Sequence, residues 1–229
     1  MRLFPVVLLI FIFSGAWGQT YEVGLFAGGA NNIGDVGRTN YIMPSGPAFG
    51  GLFKWNKSQR YAWRGSVIYG EFVADDAKSD MPSRQQRGYR MTNSVLEFSA
   101  GLEFNFVEYN LHRLGPAFTP YLYTGATYFR YGYHHFDGSG DLQDVGQKDG
   151  AFAIPMTVGA KLRVSQFFVV GAEIGARYTF TDNLDASNPS GSNFDENKFG
   201  NIYSDDWYVF SGISFTYTFG RKPCQDPFQ

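Results

Sequence analysis

Polar and apolar positions alternate along most of this chain, most clearly in Leu96-Glu97-Phe98-Ser99-Ala100-Gly101-Leu102-Glu103-Phe104-Asn105-Phe106. Its even positions are apolar or small, and its odd positions are charged, polar or glycine. A period of two belongs to a strand whose two faces meet different surroundings. Two glutamates and an asparagine opposite a continuous apolar stripe suit hydrocarbon on one side and a polar lumen on the other.

Eight segments read this way, at about 21–30, 48–56, 61–72, 96–106, 118–133, 152–164, 168–181 and 207–219. The sixth sets Ile154, Met156, Val158, Ala160, Leu162 and Val164 outward against Thr157, Gly159, Lys161 and Arg163. The seventh sets Val170, Ala172, Ile174, Ala176, Tyr178 and Phe180 outward against Gly171, Glu173, Gly175, Arg177 and Thr179. In the eighth, Trp207, Val209, Ile213, Phe215, Tyr217 and Phe219 read as outward; the fifth is aromatic on both faces, which leaves its faces open. Each segment reaches the roughly 9–11 residues that a tilted strand needs to cross a bilayer.

The connectors sort by length. Residues 31–47, 73–92, 134–150 and 182–206 are long, 57–60 and 165–166 are tight, and 108–117 is intermediate. Long loops at one end and short turns at the other match the external and periplasmic ends of an outer-membrane barrel. A β-sandwich would not sort its loops so consistently. The expected fold is therefore all-β, an eight-stranded antiparallel transmembrane β-barrel over residues 19–219.

Arg2, the apolar run Leu3 to Phe13 and the small residues of Ala16-Trp17-Gly18 predict a signal peptide at 1–18, with a mature start at Gln19. No later stretch approaches the roughly 20 apolar residues of a membrane helix. Residues 220–229 read as a periplasmic tail whose single Cys224 has no internal partner for a disulfide. Composition agrees: 44% of the 229 residues are hydrophobic and 18% aromatic, with 28 Gly, yet mean hydropathy is only −0.24. Apolar residues are dispersed rather than massed, as barrel strands require. The net charge of −2 offers no basic face for nucleic acid.

Glu97, Glu103, Lys161, Arg163, Glu173 and Arg177 all point to the expected interior. Eight strands leave a lumen that side chains just fill, and buried charges persist only when paired. These six are read as a lumen charge network that plugs the barrel; a narrow polar channel or proton path is the competing reading, and the width argues against it. Three histidines, His112, His134 and His135, with Ser139 nearby, form no spaced nucleophile–base signature. Asp182, Asp185, Asp195 and Glu196 are oxygen ligands of the type calcium takes, but not at a calcium-loop spacing. Asp and Asn are also ordinary turn formers. The expectation is no catalysis, no cofactor, no metal and no small-molecule substrate.

Several motifs together resemble the PorG-like outer-membrane barrel family of Bacteroidota. They are Arg64-Gly65 with Tyr69-Gly70, Glu97 with Glu103-Phe104-Asn105-Phe106, Thr119-Pro120-Tyr121-Leu122-Tyr123, and Ile154-Pro155 with Gly159 and Lys161. The most specific is Glu173, Gly175 and Arg177-Tyr178-Thr179-Phe180-Thr181-Asp182-Asn183-Leu184-Asp185; Tyr217-Thr218-Phe219 with Cys224 closes the pattern. The chain departs from it at Asn183, where the family tends to have Tyr, and at Ala186-Ser187. The resemblance implies a non-catalytic component of the type IX secretion system. Its partners would be outer-membrane lipid and the periplasmic ring of a lipoprotein and its partner subunit, met by residues 57–60, 108–117 and 220–229. Three alternatives compete: a surface barrel whose external loops bind a ligand, host factor or lipid; a lipid-modifying barrel enzyme; and a soluble lipocalin-like binder, which needs the opposite facing of the polar stripe.

Overall fold

The computed structural model describes residues 20–111, 115–189, 192–201 and 203–220. The expected signal peptide, His112 and the tail with Cys224 lie outside the described residues.

Eight strands form, β1 (Thr20–Ile33), β2 (Gly46–Asn56), β3 (Tyr61–Asp75), β4 (Arg90–Asn105), β5 (Ala117–Phe136), β6 (Leu142–Arg163), β7 (Phe168–Thr179) and β8 (Trp207–Phe219). Each pairs antiparallel with its neighbour in sequence, and β8 returns to β1 with Phe215 opposite Leu25, closing a barrel. Closure removes the unpaired edges that an open sheet would present. A short helix α1 (Pro82–Arg87), with Pro82 at its start and Gly88 in the left-handed region at its end, sits in the β3–β4 connector.

Alternation sorts the side chains as the sequence pattern requires. Leu25 (71% exposed), Phe49, Trp63, Phe98, Val158 and Ile213 face outward, while Glu22, Lys54, Arg64, Glu97, Glu103, Lys161, Glu173 and Arg177 are buried inside. A soluble barrel would have the reverse arrangement; an apolar outside around a polar inside is the pattern of a barrel solvated by lipid. Aromatic side chains gather at both ends of this belt. Tyr21 stacks between Phe53 and Phe219 at the short-turn end, and Tyr178 packs on Trp207 at the long-loop end. β5, aromatic on both faces in sequence, puts Thr119, Tyr121, Tyr123, Thr127, Phe129 and Tyr131 inside.

Three features differ from the sequence expectations. First, residues 134–150 are not a loop. β5 runs on to Phe136 and β6 starts at Leu142, so the strands extend beyond the barrel as a hairpin with His134 opposite Asp144. Its turn is closed by Asp137, whose carboxylate accepts the N–H groups of Ser139 and Asp141, with Gly140 at φ +86°. Those N–H bonds hold the Asp137 carboxyl below its ordinary range. Second, Val209 is buried although its parity is outward; it pairs with Asn31, over which the β1–β2 connector folds. Third, the charge network is confined to the middle and the short-turn end of the interior. Toward the long-loop end the interior is an apolar core that includes Phe72, Met91, Phe129, Phe136, Leu184 and Phe210.

Two inward glycines set how closely β4 and β5 approach. Gly101 lies opposite Gly125, and a Cβ on Gly101 would strike the Thr124 carbonyl and come within 2.7 Å of the Gly125 Cα. Gly101→Val is expected to lower the yield of folded, heat-modifiable barrel severalfold on an unboiled gel; a wild-type yield would contradict this packing.

Candidate functional site

The lumen charges come from six strands. Glu103 on β4 lies between two lysines, 2.7 Å from Lys54 Nζ of β2 and 2.5 Å from Lys161 Nζ of β6. Arg64 of β3 is 3.7 Å from the same carboxylate and grips Glu173 of β7 with both terminal nitrogens, at 2.7 and 2.6 Å. The Tyr121 hydroxyl donates to Glu173 as well. One storey away, Arg177 of β7 holds Glu97 of β4 through Nε and Nη2 at 2.8 and 3.0 Å, and Tyr208 donates to Glu97 at 2.8 Å. Glu22 takes bonds from Asn56 and Thr216 at 2.9 and 2.8 Å. Aromatic faces sandwich the cations: Arg64 lies over Tyr123, Lys161 over Tyr109 and Arg177 over Phe210. Paired, hydrogen-bonded charges with aromatic cover are what keeps ions stable in a water-poor interior.

Five of the six sequence-derived residues, Glu97, Glu103, Lys161, Glu173 and Arg177, meet in this interior. Arg163 lies at the short-turn end, where it donates to the carbonyls of Asn110 and Gly115. Lys54, Arg64, Glu22, Tyr121 and Tyr208 complete the network and were not singled out as lumen charges, although the inward parity of Lys54 between Phe53 and Trp55, and of Arg64 after Trp63, marks them.

Both ends are covered. At the short-turn end, Tyr109 and Leu111 of the β4–β5 connector fold in against Val169 and Ala117. That connector is locked to the β2–β3 turn: Arg60 donates to the Phe106 carbonyl at 2.7 Å and to Glu108 at 3.2 Å, and the Tyr109 N–H donates to the Gln59 carbonyl at 3.0 Å. At the long-loop end, Asn183 to Ser187 are buried, with Leu184 and Ala186 in the apolar core. Ala186 adopts φ +65° there, a left-handed conformation unusual for a residue with a Cβ. Asp185 accepts the N–H groups of Asp35 and Val36, and Asp206 those of Leu184 and Asp185 at 2.8 and 3.2 Å. Burial pushes the Asp182 carboxyl up to about 6 and raises Asp185 and Asp206, each further raised by neighbouring aspartates.

The other candidate chemistry is dispersed. His134 Nδ1 is 3.0 Å from the Gly132 carbonyl and its Nε2 is 3.8 Å from Asp144, while Ser139 belongs to the hairpin turn. Asp195 pairs with Lys198 on the surface, away from buried Asp185. Among the described residues, no group of three or more His, Cys, Asp or Glu side chains is placed to hold a metal ion.

A family model described as "Domain of unknown function (DUF6089)" matches residues 1–227. No curated protein matches the sequence. Among solved structures, the chain is similar to the attachment invasion locus protein Ail of Yersinia pestis, at 11% identity and TM-score 0.48 over 88% of this chain and 99% of that one. It is likewise similar to the outer membrane protein OprG from Pseudomonas aeruginosa, at 11% identity and TM-score 0.47 over 90% and 98%. Neisserial surface protein A matches at 11% identity and TM-score 0.44 over 90% and 100%.

Proposed function

The chain belongs to the DUF6089 family, and on that footing we propose that it is a non-catalytic outer-membrane barrel anchoring the periplasmic ring of the type IX secretion system. The apolar belt supports the membrane location, and the paired lumen charges between two covered ends move the work away from the interior. The observation that carries the proposal is the short-turn end. The β2–β3 turn and the β4–β5 connector are bonded into one platform through Arg60, Gln59 and Tyr109, and it displays Lys57, Val107 and Glu108 to solvent. A preorganised polar platform with an apolar spot is a suitable docking face for a rigid partner, because little entropy is lost on binding.

The test substitutes exposed positions only. Lys57→Glu, Val107→Ser and Glu108→Lys together, and separately removal of residues 221–229, should leave heat-modifiable barrel in the outer membrane. Co-purification of the ring lipoprotein and its partner should fall at least tenfold in one of the two variants. Wild-type co-purification in both would overturn the anchoring role.

A further inference from the structure

A second polar site lies outside the lumen, at the long-loop end. The β1–β2 connector folds back on Asn31, whose Nδ2 donates to the carbonyls of Asn40 and Tyr41 at 3.5 and 3.3 Å and whose Oδ1 accepts the Met43 N–H at 3.3 Å. Beneath it is a cavity of about 340 Å³ whose charged lining is Arg38, Lys78, Arg90 and Asp75, with Asn32 in its wall. Val73, Asp75 and Arg90 hold the outward positions of β3 and β4, so the cavity faces away from the lumen.

Its charge is unbalanced toward positive. Three cations face one carboxylate, and that carboxylate is already engaged: one Asp75 oxygen accepts the Ala77 N–H at 3.1 Å and the other is 4.0 Å from Lys78. Arg38 spends its donors on the Lys78 carbonyl at 3.2 Å and on the Met43 sulfur at 2.9 Å. Neither partner carries a negative charge, and a thioether is a weak acceptor. Arginine forks and an ammonium around a small cavity are the donor set that phosphoryl oxygens take.

Height identifies the carrier. Val73 and Asp75 stand four and six residues beyond Tyr69, an exposed aromatic of the belt. At about 3.3 Å per residue and a tilt near 40°, they lie roughly 10–15 Å further out. The interfacial layer of a bilayer is only about 5–8 Å deep on each side, so this level is one of extended sugar headgroups. We propose that the cavity binds a phosphoryl group on the sugar headgroup of an outer-leaflet glycolipid. This rests on the membrane orientation given above.

The test uses the mature barrel in neutral detergent with three probes: an acylated glucosamine disaccharide extended by phosphorylated core sugars, the same lipid after enzymatic dephosphorylation, and sodium phosphate. Native mass spectrometry should show at least tenfold tighter retention of the phosphorylated lipid, with competition by millimolar phosphate. Arg38→Ala, Lys78→Ala and Arg90→Ala together should weaken retention at least tenfold, and Asp75→Asn should strengthen it severalfold. The opposite sign of the second variant keeps the test decisive if the triple variant folds poorly. Equal retention of both lipids, unchanged retention in either variant, or binding of free phosphate but not of the lipid would overturn the proposal. A chain that fractionates as soluble protein without heat-modifiable migration would instead overturn the membrane reading, a separate result.

Discussion

Glu103→Ala is expected to destabilise the barrel by about 3–5 kcal/mol, the usual cost of removing one partner from a buried ion cluster. The Glu103 carboxylate is fully buried, bridges Lys54 and Lys161 and lies near Arg64. Without it, two ammonium groups face each other in a buried, low-dielectric interior. Glu103→Gln should lose nearly as much, because the shape is kept and the charge is not. Adding Lys161→Met to Glu103→Gln restores the lumen's charge balance and should recover more than half of the loss, since apolar replacement of a buried pair is often neutral. Glu108→Ala is the contrast: its pair with Arg60 is exposed on both sides and should be worth under about 1 kcal/mol. Urea titration in detergent micelles, followed by tryptophan fluorescence, measures all four. A loss under about 1 kcal/mol for Glu103→Ala would mean that the cluster is solvated, and the filled-lumen reading would fall with it.

Alternation reports which face a residue occupies and is silent on height. That is why Glu97 and Glu103 were legible as interior charges from a single strand. It is also why Arg163 was grouped with them: its parity is inward, but it is the last residue of β6, level with the connector carbonyls it binds. The hairpin beyond the barrel was hidden by Gly138, Gly140, Gly146 and Gly150, which in sequence resemble loop punctuation. In the structure, two of them, Gly140 and Gly146, take left-handed turns, and Gly150 sits in β6 where a Cβ would collide with the Tyr128 hydroxyl. The Asn183 to Ser187 segment carries no period at all. Leu184 is its one large apolar residue, and its burial depends on backbone N–H groups finding Asp185 and Asp206, a long-range fact that no local pattern encodes.

That buried segment should loosen as pH rises. The carboxyls of Asp182, Asp185 and Asp206 are raised by burial and by one another, with Asp182 pushed up to about 6. A raised carboxyl pKa means that the closed loop holds protons which the open loop, titrating near 4, releases. By linkage, the closed state is fully favoured below about pH 4 and loses stability as pH climbs through the folded values, past 6 for Asp182. Asp35 and Asp205 add negative charge beside Asp182 and steepen the effect. Proteolytic nicking within residues 182–206 of the folded barrel, normalised to the same free peptide, should rise severalfold between pH 5 and pH 8. Asp206→Asn keeps an acceptor for the Leu184 and Asp185 N–H groups and deletes a charge, so it should flatten that profile and protect the loop at pH 8. Cleavage that slows with rising pH, or an Asp206→Asn profile as steep as wild type, would show that these carboxyls are charged in the closed loop and that the bonds to Leu184 and Asp185 are bonds to carboxylates.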